Sequence, residues 1–263
     1  MPPIISLISC RHAVIRLTSR RLPSSMSRRL TSSGLWVVIP QLHSPGTLRI
    51  TGCLGQRFIG AGAERGRLEI TGTPGNALGA YLDGACIEVR GNAQDAVGDT
   101  MNGGRIIVHG SIGDAAGYAM RGGEIYVQGD AGYRAGIHMK AYGDKVPALV
   151  IGGKAGSFLG EYQAGGIILV LGLSQTRRPI VSNFPCTGMY GGKLYLRSDG
   201  RGLRLPEQVD ARPAGEDDLA EIGKYVENYC AFFGGDRDAV MAAPFTVITP
   251  DTKNPYRQMY VLN

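Results

Sequence analysis

One phrase of about twenty residues is repeated between Gly46 and Arg197. Gly72, Gly91, Gly110 and Gly129 stand 19 residues apart, as do Gly79, Gly98, Gly117 and Gly136. Gly153 and Gly172 resume the spacing of 19 after one interval of 24. A fixed period of this length constrains the fold more than any local motif. A single repeat cannot bury its own apolar stripe, so the stripe becomes a core only when coils stack and like side chains lie above like.

Each repeat has two halves. The first alternates apolar and polar residues, with inward pairs Leu68/Ile70, Ile87/Val89, Ile106/Val108, Ile125/Val127, Leu149/Ile151 and Ile168/Val170. That alternation predicts a strand with one buried face. The intervening residues are often polar, as at Glu69, Glu88, Arg105, His109 and Gln128. The second half reads G-x-x-G-x-x-x-G, at Gly72/Gly75/Gly79, Gly110/Gly113/Gly117, Gly129/Gly132/Gly136 and Gly153/Gly156/Gly160, with Gly91 and Gly98 in the coil between. Glycines at such offsets are expected to supply positive φ and to let stacked backbones approach.

Strands that recur once per coil must run parallel, and parallel connections are right-handed. The expected fold is all-β, a right-handed parallel β-helix with a short C-terminal α/β appendage. Adding Leu48/Ile50 before the series and Leu194/Leu196 after it gives about eight rungs, or a column on the order of 35 Å at about 4.8 Å per rung. The rival is a left-handed β-helix of hexapeptides, which needs about 18 residues per coil. Intervals of 19 drift out of that register, and the aliphatic residue at every sixth position is missing.

The formal charge of +6 comes from the first 34 residues, which hold six arginines and no acid and leave the remainder neutral. A neutral body argues against nucleic acid as a partner. No run of 18 apolar residues suggests a membrane span. The five cysteines are scattered without a CxxC, the pattern of reduced thiols in a cytoplasmic protein rather than of a metal centre.

Three segments follow. Residues 1–34 read as a disordered or spurious basic leader, a composition shared with transit peptides. Residues 35–202 form the repeat domain. Residues 203–263 carry an amphipathic helix from Glu216 to Phe233, ended by Gly234-Gly235, a strand at Phe245–Ile248 and an extended tail near Tyr256 and Tyr260. The interval of 24 holds an insertion after Met139 with Lys140, Tyr142, Asp144 and Lys145. Such insertions emerge on one face, often the binding face. The strand around Ile167, Leu169 and Leu171 is apolar on both sides, so its outward set must be covered by the C-terminal segment or by another subunit.

Catalytic signals are sparse. His138 opens the insertion but stands alone as a candidate base. Turn carboxylates could form a ladder; only Asp95 and Asp114 appear in one slot, followed by Arg134 and Phe158. Capping of turns is the simpler role for them, with a carbohydrate-active groove as the alternative. The turns lack the Lys-Ser/Thr and the following helix of a phosphate loop.

Three stretches are the most telling: Gly91-Asn-Ala-Gln-Asp95-Ala-Val-Gly98-Asp-Thr-Met101, Gly129-Asp-Ala-Gly-Tyr-Arg-Ala-Gly136-Ile-His-Met-Lys140 and Phe158-Leu-Gly-Glu161-Tyr162-Gln-Ala-Gly-Gly166. With the repeat array around them, they resemble the C-terminal domain of the glutamate synthase large subunit, in the form encoded as a stand-alone subunit. The resemblance covers about residues 46–197, and the tail from Glu216 to Tyr260 is similar to that of the stand-alone form.

The resemblance implies a β-helix without a catalytic, cofactor-binding or metal-binding residue of its own. It would hold a glutamine amidotransferase-like subunit and an FMN-binding synthase subunit in place, with FMN and an iron–sulfur cluster on those partners. The product would be glutamate, made from glutamine and 2-oxoglutarate. Related repeats occur in N-methylglutamate synthase-like complexes and in the equivalent subunit of formylmethanofuran dehydrogenase. Candidate interface residues are His138, Lys140, Tyr142, Asp144, Lys145, Glu161, Tyr162, Ile167, Leu169 and Leu171.

Overall fold

A computed structural model describes residues 46–174 and 178–251 in full, and the backbone alone of 4–10 and 13–19. Trp36, His12, His43, Arg177, and Tyr256 and Tyr260 of the tail lie outside the described residues.

Eight strands recur once per coil: β3 (Thr47–Leu54), β4 (Arg67–Thr73), β5 (Asp83–Arg90), β6 (Gly103–Val108), β7 (Glu124–Val127), β8 (Ala148–Ile151), β9 (Ala164–Val170) and β10 (Gly191–Leu196). They pair in parallel, each with the next. The stack is a β-solenoid of about seven turns. The expected columns are in register. Leu48, Leu68, Ile87, Ile106, Ile125, Leu149, Ile168 and Leu194 form one; Ile50, Ile70, Val89, Val108, Val127, Ile151, Val170 and Leu196 form the other. All of these side chains are buried, at a gain of roughly 1.5–3 kcal/mol for each large one. Leu82, Met101, Met120 and Met139 add a further buried column. Gln163 continues it, with its amide Nε2 donating to the Gly165 and Gly166 carbonyls at 3.3 and 3.1 Å.

Both ends of the parallel stack switch direction. β2 (Ala13–Ser19) lies antiparallel to β3, and β1 (Ile4–Cys10) antiparallel to β2. At the far end β12 (Thr246–Pro250) lies antiparallel to β10, and β11 (Val209–Pro213) antiparallel to β12. β12 supplies the strand expected near Phe245–Ile248; β11 has no counterpart among the strands expected from alternation.

The helix α1 spans Glu216–Phe233, the expected bounds. Asp218 Oδ2 accepts the Gly215 N–H at 3.0 Å at its start, and Gly234, with φ of 83°, ends it. A short helix α2 (Arg237–Met241) follows, with Asp236 accepting the Asp238 N–H at 2.9 Å.

One outward column explains where α1 sits. Its register runs Arg49, Glu69, Glu88, Ile107, Tyr126, Val150, Leu169, Tyr195. The first three are charged; from Ile107 onward the column is apolar. Ile222, Tyr225, Val226 and Tyr229 of α1 pack on that apolar half. Polar contacts fix the helix in place: Asn228 Nδ2 donates to Tyr126 Oη at 3.1 Å, and Lys193 Nζ meets Glu221 at 2.7 Å. Ile167, Leu169 and Leu171 are therefore covered by the chain's own helix, and Leu169 is 0% exposed. They are not free for another subunit.

The turn glycines divide between the two expected jobs, positive φ and close approach of the coils. Gly72, Gly79, Gly91, Gly98, Gly117, Gly136 and Gly160 do take positive φ. Gly75, Gly110, Gly113, Gly129, Gly132, Gly153 and Gly156 do not. The second set is required for space alone. A Cβ on Gly75 would stand 2.3 Å from the Gly55 carbonyl oxygen, and one on Gly156 2.6 Å from that of Gly132. The physical reason is that this corner of each coil lies directly on the backbone of the coil beneath. Gly160, at φ of 66°, belongs with the first set: a Cβ there would meet only Gln163 Oε1, at 3.1 Å, and the side chain of Ile168, at 3.4 Å. Gly117 and Gly132 are the clearest examples of the two jobs. Gly117, at φ of 68°, has nothing nearer than 3.8 Å to a Cβ, whereas Gly132 would place one 2.3 Å from Asp114 Oδ1 and 2.8 Å from the Gly113 backbone.

Candidate functional site

Each coil turns through three left-handed residues at alternate positions, as at 96/98/100, 115/117/119, 134/136/138 and 158/160/162. Neighbouring coils take up their N–H groups. Ala96 N donates forward to Asp114 O at 2.7 Å, Gly98 N back to Leu78 O at 2.8 Å, and Thr100 N forward to Tyr118 O at 2.7 Å. The middle position holds glycine until Cys186 takes it in the last coil. The outer two point away from the core, and there the left-handed angle costs any residue with a Cβ roughly 1–2 kcal/mol.

One outer slot runs Phe58, Ala77, Ala96, Ala115, Arg134, Phe158 and Phe184, and the other holds Tyr81, Thr100, Ala119, His138 and Tyr162, so large side chains fill both slots together only from Arg134 onward. The result is an aromatic ridge. The His138 and Tyr162 rings stack at 5.1 Å, and Tyr118 meets His138 edge-on at 5.9 Å. Phe158 lies 5.2 Å from both Tyr133 and Phe184. The Arg134 guanidinium sits 4.8 Å from the Tyr133 ring centroid, and its Nε lies 2.7 Å from Glu161 Oε2. Seven large apolar side chains are exposed among the described residues, and all but Leu54 lie on this edge or on the loop beside it. Apolar exposure gathered on one edge marks an interaction surface.

The insertion folds back over the same edge. Tyr142 and Lys145 form an antiparallel bridge, and Lys145 Nζ reaches Asp83 Oδ1 at 3.2 Å. Arg121, Lys140, Ala141 and Tyr142 line a cavity of about 220 Å³. Of the candidate interface residues, His138 and Tyr162 are brought together, and Lys140 and Tyr142 share the cavity beside them. Asp144 is exposed on the loop. Glu161 is buried, its carboxylate held by Arg134 and its carbonyl accepting the His138 N–H at 2.9 Å. Tyr118, Arg121, Tyr133 and Phe184 also belong to this edge, and no motif in the sequence marks them.

Three of the turn carboxylates cap the next coil. Asp95 Oδ1 accepts the Asp114 N–H at 2.9 Å, Asp114 Oδ1 the Tyr133 N–H at 2.8 Å, and Asp130 Oδ1 the Lys154 N–H at 2.8 Å. Tyr133, not Arg134, therefore follows Asp95 and Asp114 in their slot, while Arg134 and Phe158 follow Ala96 and Ala115. The slot expected from the sequence is corrected by one residue.

On the uncovered half of the outward column, Glu88 accepts from His109 Nε2 at 2.9 Å and also pairs with Arg67 and Arg90. Burial would raise its carboxyl, but the His109 hydrogen bond and the two guanidinium charges outweigh that and hold it below the ordinary carboxylate range. Cys53, Cys86, Cys186 and Cys230 are free thiols in four different parts of the fold. Burial pushes Cys53 up to about 11 and Cys186 up to about 12, so neither is a ready nucleophile. Among the described residues, no helix is long and apolar enough to cross a membrane.

Two comparisons bear on identity. The family described as the GXGXG motif matches residues 38–251. An uncharacterized protein of Methanocaldococcus jannaschii is 44% identical over 215 residues, which cover 79% of this chain and 82% of that protein.

Proposed function

Because the chain belongs to the GXGXG motif family, the C-terminal domain type of the glutamate synthase large subunit, we propose that it is a non-catalytic scaffold subunit of a glutamate synthase-type complex. Its partners in this reading are a glutamine amidotransferase-like subunit and an FMN-binding synthase subunit that also carries the iron–sulfur cluster. The chain supplies a stiff post that fixes the distance and angle between them.

The observation that carries the reading is the unbroken stack within the family match. Two core columns run through all eight parallel strands without a slip at a core position. Three turn carboxylates that a carbohydrate-active groove would need free, Asp95, Asp114 and Asp130, are used to cap coils. The buried thiols are held protonated. Rigidity with its polar groups spent on coil-to-coil bonding suits a spacer between two active centres.

The test is to tag the chain in its own organism and purify under low salt. The expected result is a complex of fixed stoichiometry with a flavin spectrum that forms glutamate from glutamine and 2-oxoglutarate. Partners of the N-methylglutamate or formylmethanofuran type would reassign the complex. Recovery of the chain alone would overturn the scaffold role.

A further inference from the structure

Arg121 and Lys140 occupy the same slot of consecutive coils. Arg121 N donates to Met101 O at 2.8 Å and Lys140 N to Met120 O at 3.0 Å, the same bond one coil apart. Their backbones are thus about 4.8 Å apart. Asn102 and Ala164 fill the slot on either side, by the equivalent bonds to Leu82 O and Met139 O. Two like charges stacked in this way repel; where the solenoid stacks Glu69 on Glu88, Arg67 pairs with both carboxylates.

No carboxylate side chain of this chain relieves the pair. The residues outside the described set contain no Asp or Glu, so every acidic side chain is in view. Glu124, Asp83 and Glu161 are engaged by Arg105, Lys145 and Arg134. Asp144, the acid closest to Lys140 in sequence, forms no ion pair with either cation. Both cations are exposed, so water and salt screen them, and they stand open to an anionic group from outside the chain.

The surroundings say what kind. The cavity of about 220 Å³ that the two cations share with Tyr142 is smaller than the roughly 300–1,000 Å³ of small-molecule sites. It has room for one or two carboxylate groups. Beside it runs the aromatic ridge from Tyr118 to Phe184, in which His138, Phe158, Tyr162 and Phe184 tolerate left-handed angles that glycine or asparagine would adopt at less cost. Bulky rings kept in such slots, with Phe184 at 61% exposure, serve contact rather than stability. Exposed aromatics flanked by Arg are the composition of a protein-binding centre.

We propose that this turn edge is the docking surface for an acidic face of a partner protein, whose side-chain carboxylates seat on Arg121 and Lys140 while its apolar residues cover the ridge. The inference rests on the reading of the chain as a member of a complex and names where that complex is held together.

The test uses the co-purified complex and its separately purified amidotransferase-like and flavoprotein subunits. A zero-length carbodiimide joins amines to carboxylates in direct contact and should link Lys140 to an Asp or Glu of one partner subunit. The R121E/K140E variant should weaken that partner's binding by tenfold or more, and the salt dependence of binding should flatten. His138→Asn and Phe184→Asn should melt at the same temperature as the parent or higher, because Asn accepts the left-handed angle, while binding the partner more weakly. A purely structural role could not give those opposite signs.

Unchanged affinity of R121E/K140E would overturn the proposal. So would Lys140 cross-links confined to a second copy of this chain. An intact complex cross-linked only through distant lysines such as Lys193 would remove this surface and leave the scaffold reading standing. Absence of any complex would remove both.

Discussion

Substituting Gly132 by alanine separates the two jobs that glycine does in these turns. The new Cβ would lie 2.3 Å from Asp114 Oδ1 and 2.8 Å from the Gly113 carbonyl, on the coil beneath. Neither atom belongs to a flexible tip that can swing clear, because Asp114 Oδ1 is held by the Tyr133 N–H at 2.8 Å. The coils must part locally or the cap must break. Overpacking of this kind costs roughly 1–3 kcal/mol, and loss of the cap adds about 1 kcal/mol.

Gly117→Ala is the control. Its nearest neighbour would stand at 3.8 Å, so it should cost only the left-handed angle, roughly 1–2 kcal/mol. The decisive measurement is a double-mutant cycle with Asp114→Ala, read by urea unfolding and far-UV circular dichroism. Removing the carboxylate takes away one of the two clashes. G132A and D114A should therefore be sub-additive by about 1 kcal/mol, whereas G117A and D114A should add to within about 0.5 kcal/mol. Strict additivity of G132A with D114A would refute the reasoning, since it would mean that the two groups do not compete for the same space.

Leu169→Asp places an unpaired charge beneath α1, among Tyr126, Val150 and Tyr195, and should cost about 3–5 kcal/mol. Limited proteolysis should then cut within Glu216–Phe233 before the coils are touched; simultaneous loss of both would contradict the separation of the two cores. Asp218 is held below the usual carboxylate range, chiefly by its hydrogen bonds from Arg212, against the opposing effect of burial. A carboxyl depressed in the folded state stabilises above its unfolded value, about 3.9, and loses that contribution as pH falls through its lower folded value. Asp218→Asn should accordingly melt lower at pH 7 and show a shallower acid limb; a parallel shift at every pH would rule this linkage out.

The columns at the heart of the coils were legible because alternation carries the inward and outward sides directly, and the 19-residue interval carries the register. The helix was legible for the same reason, from Leu219, Ile222, Val226 and Tyr229. The covering of Leu169 was half visible: the need for a cover followed from the strand, but choosing α1 required seeing that Ile107, Tyr126, Val150, Leu169 and Tyr195 form one line.

The ridge was not legible, since a hydrophobic pattern does not encode the sign of φ and Phe158 or Phe184 reads as core. For the same reason Gly75 and Gly156 look no different in the sequence from Gly160, although only the last has the left-handed angle. The misplacement of Arg134 in the slot of Asp95 came from anchoring the turn one residue late. The pairing of Arg121 with Lys140 was present in the numbering, at an interval of 19, but gains meaning only once the neighbouring acids are known to be taken.

The antiparallel strands at the two extremities have a consequence for assembly. A pile of identical parallel rungs is an open template, and copies could add above and below without limit to form a fibre. Here the last strand outward from β10 is β11, which carries exposed Asp210 and Arg212 and finishes at Pro213, and a proline offers no N–H to a newcomer. The first is β1, lying against the run of its neighbour. Growth along the axis is blunted at the β11 pole, which leaves the flank as the open side there.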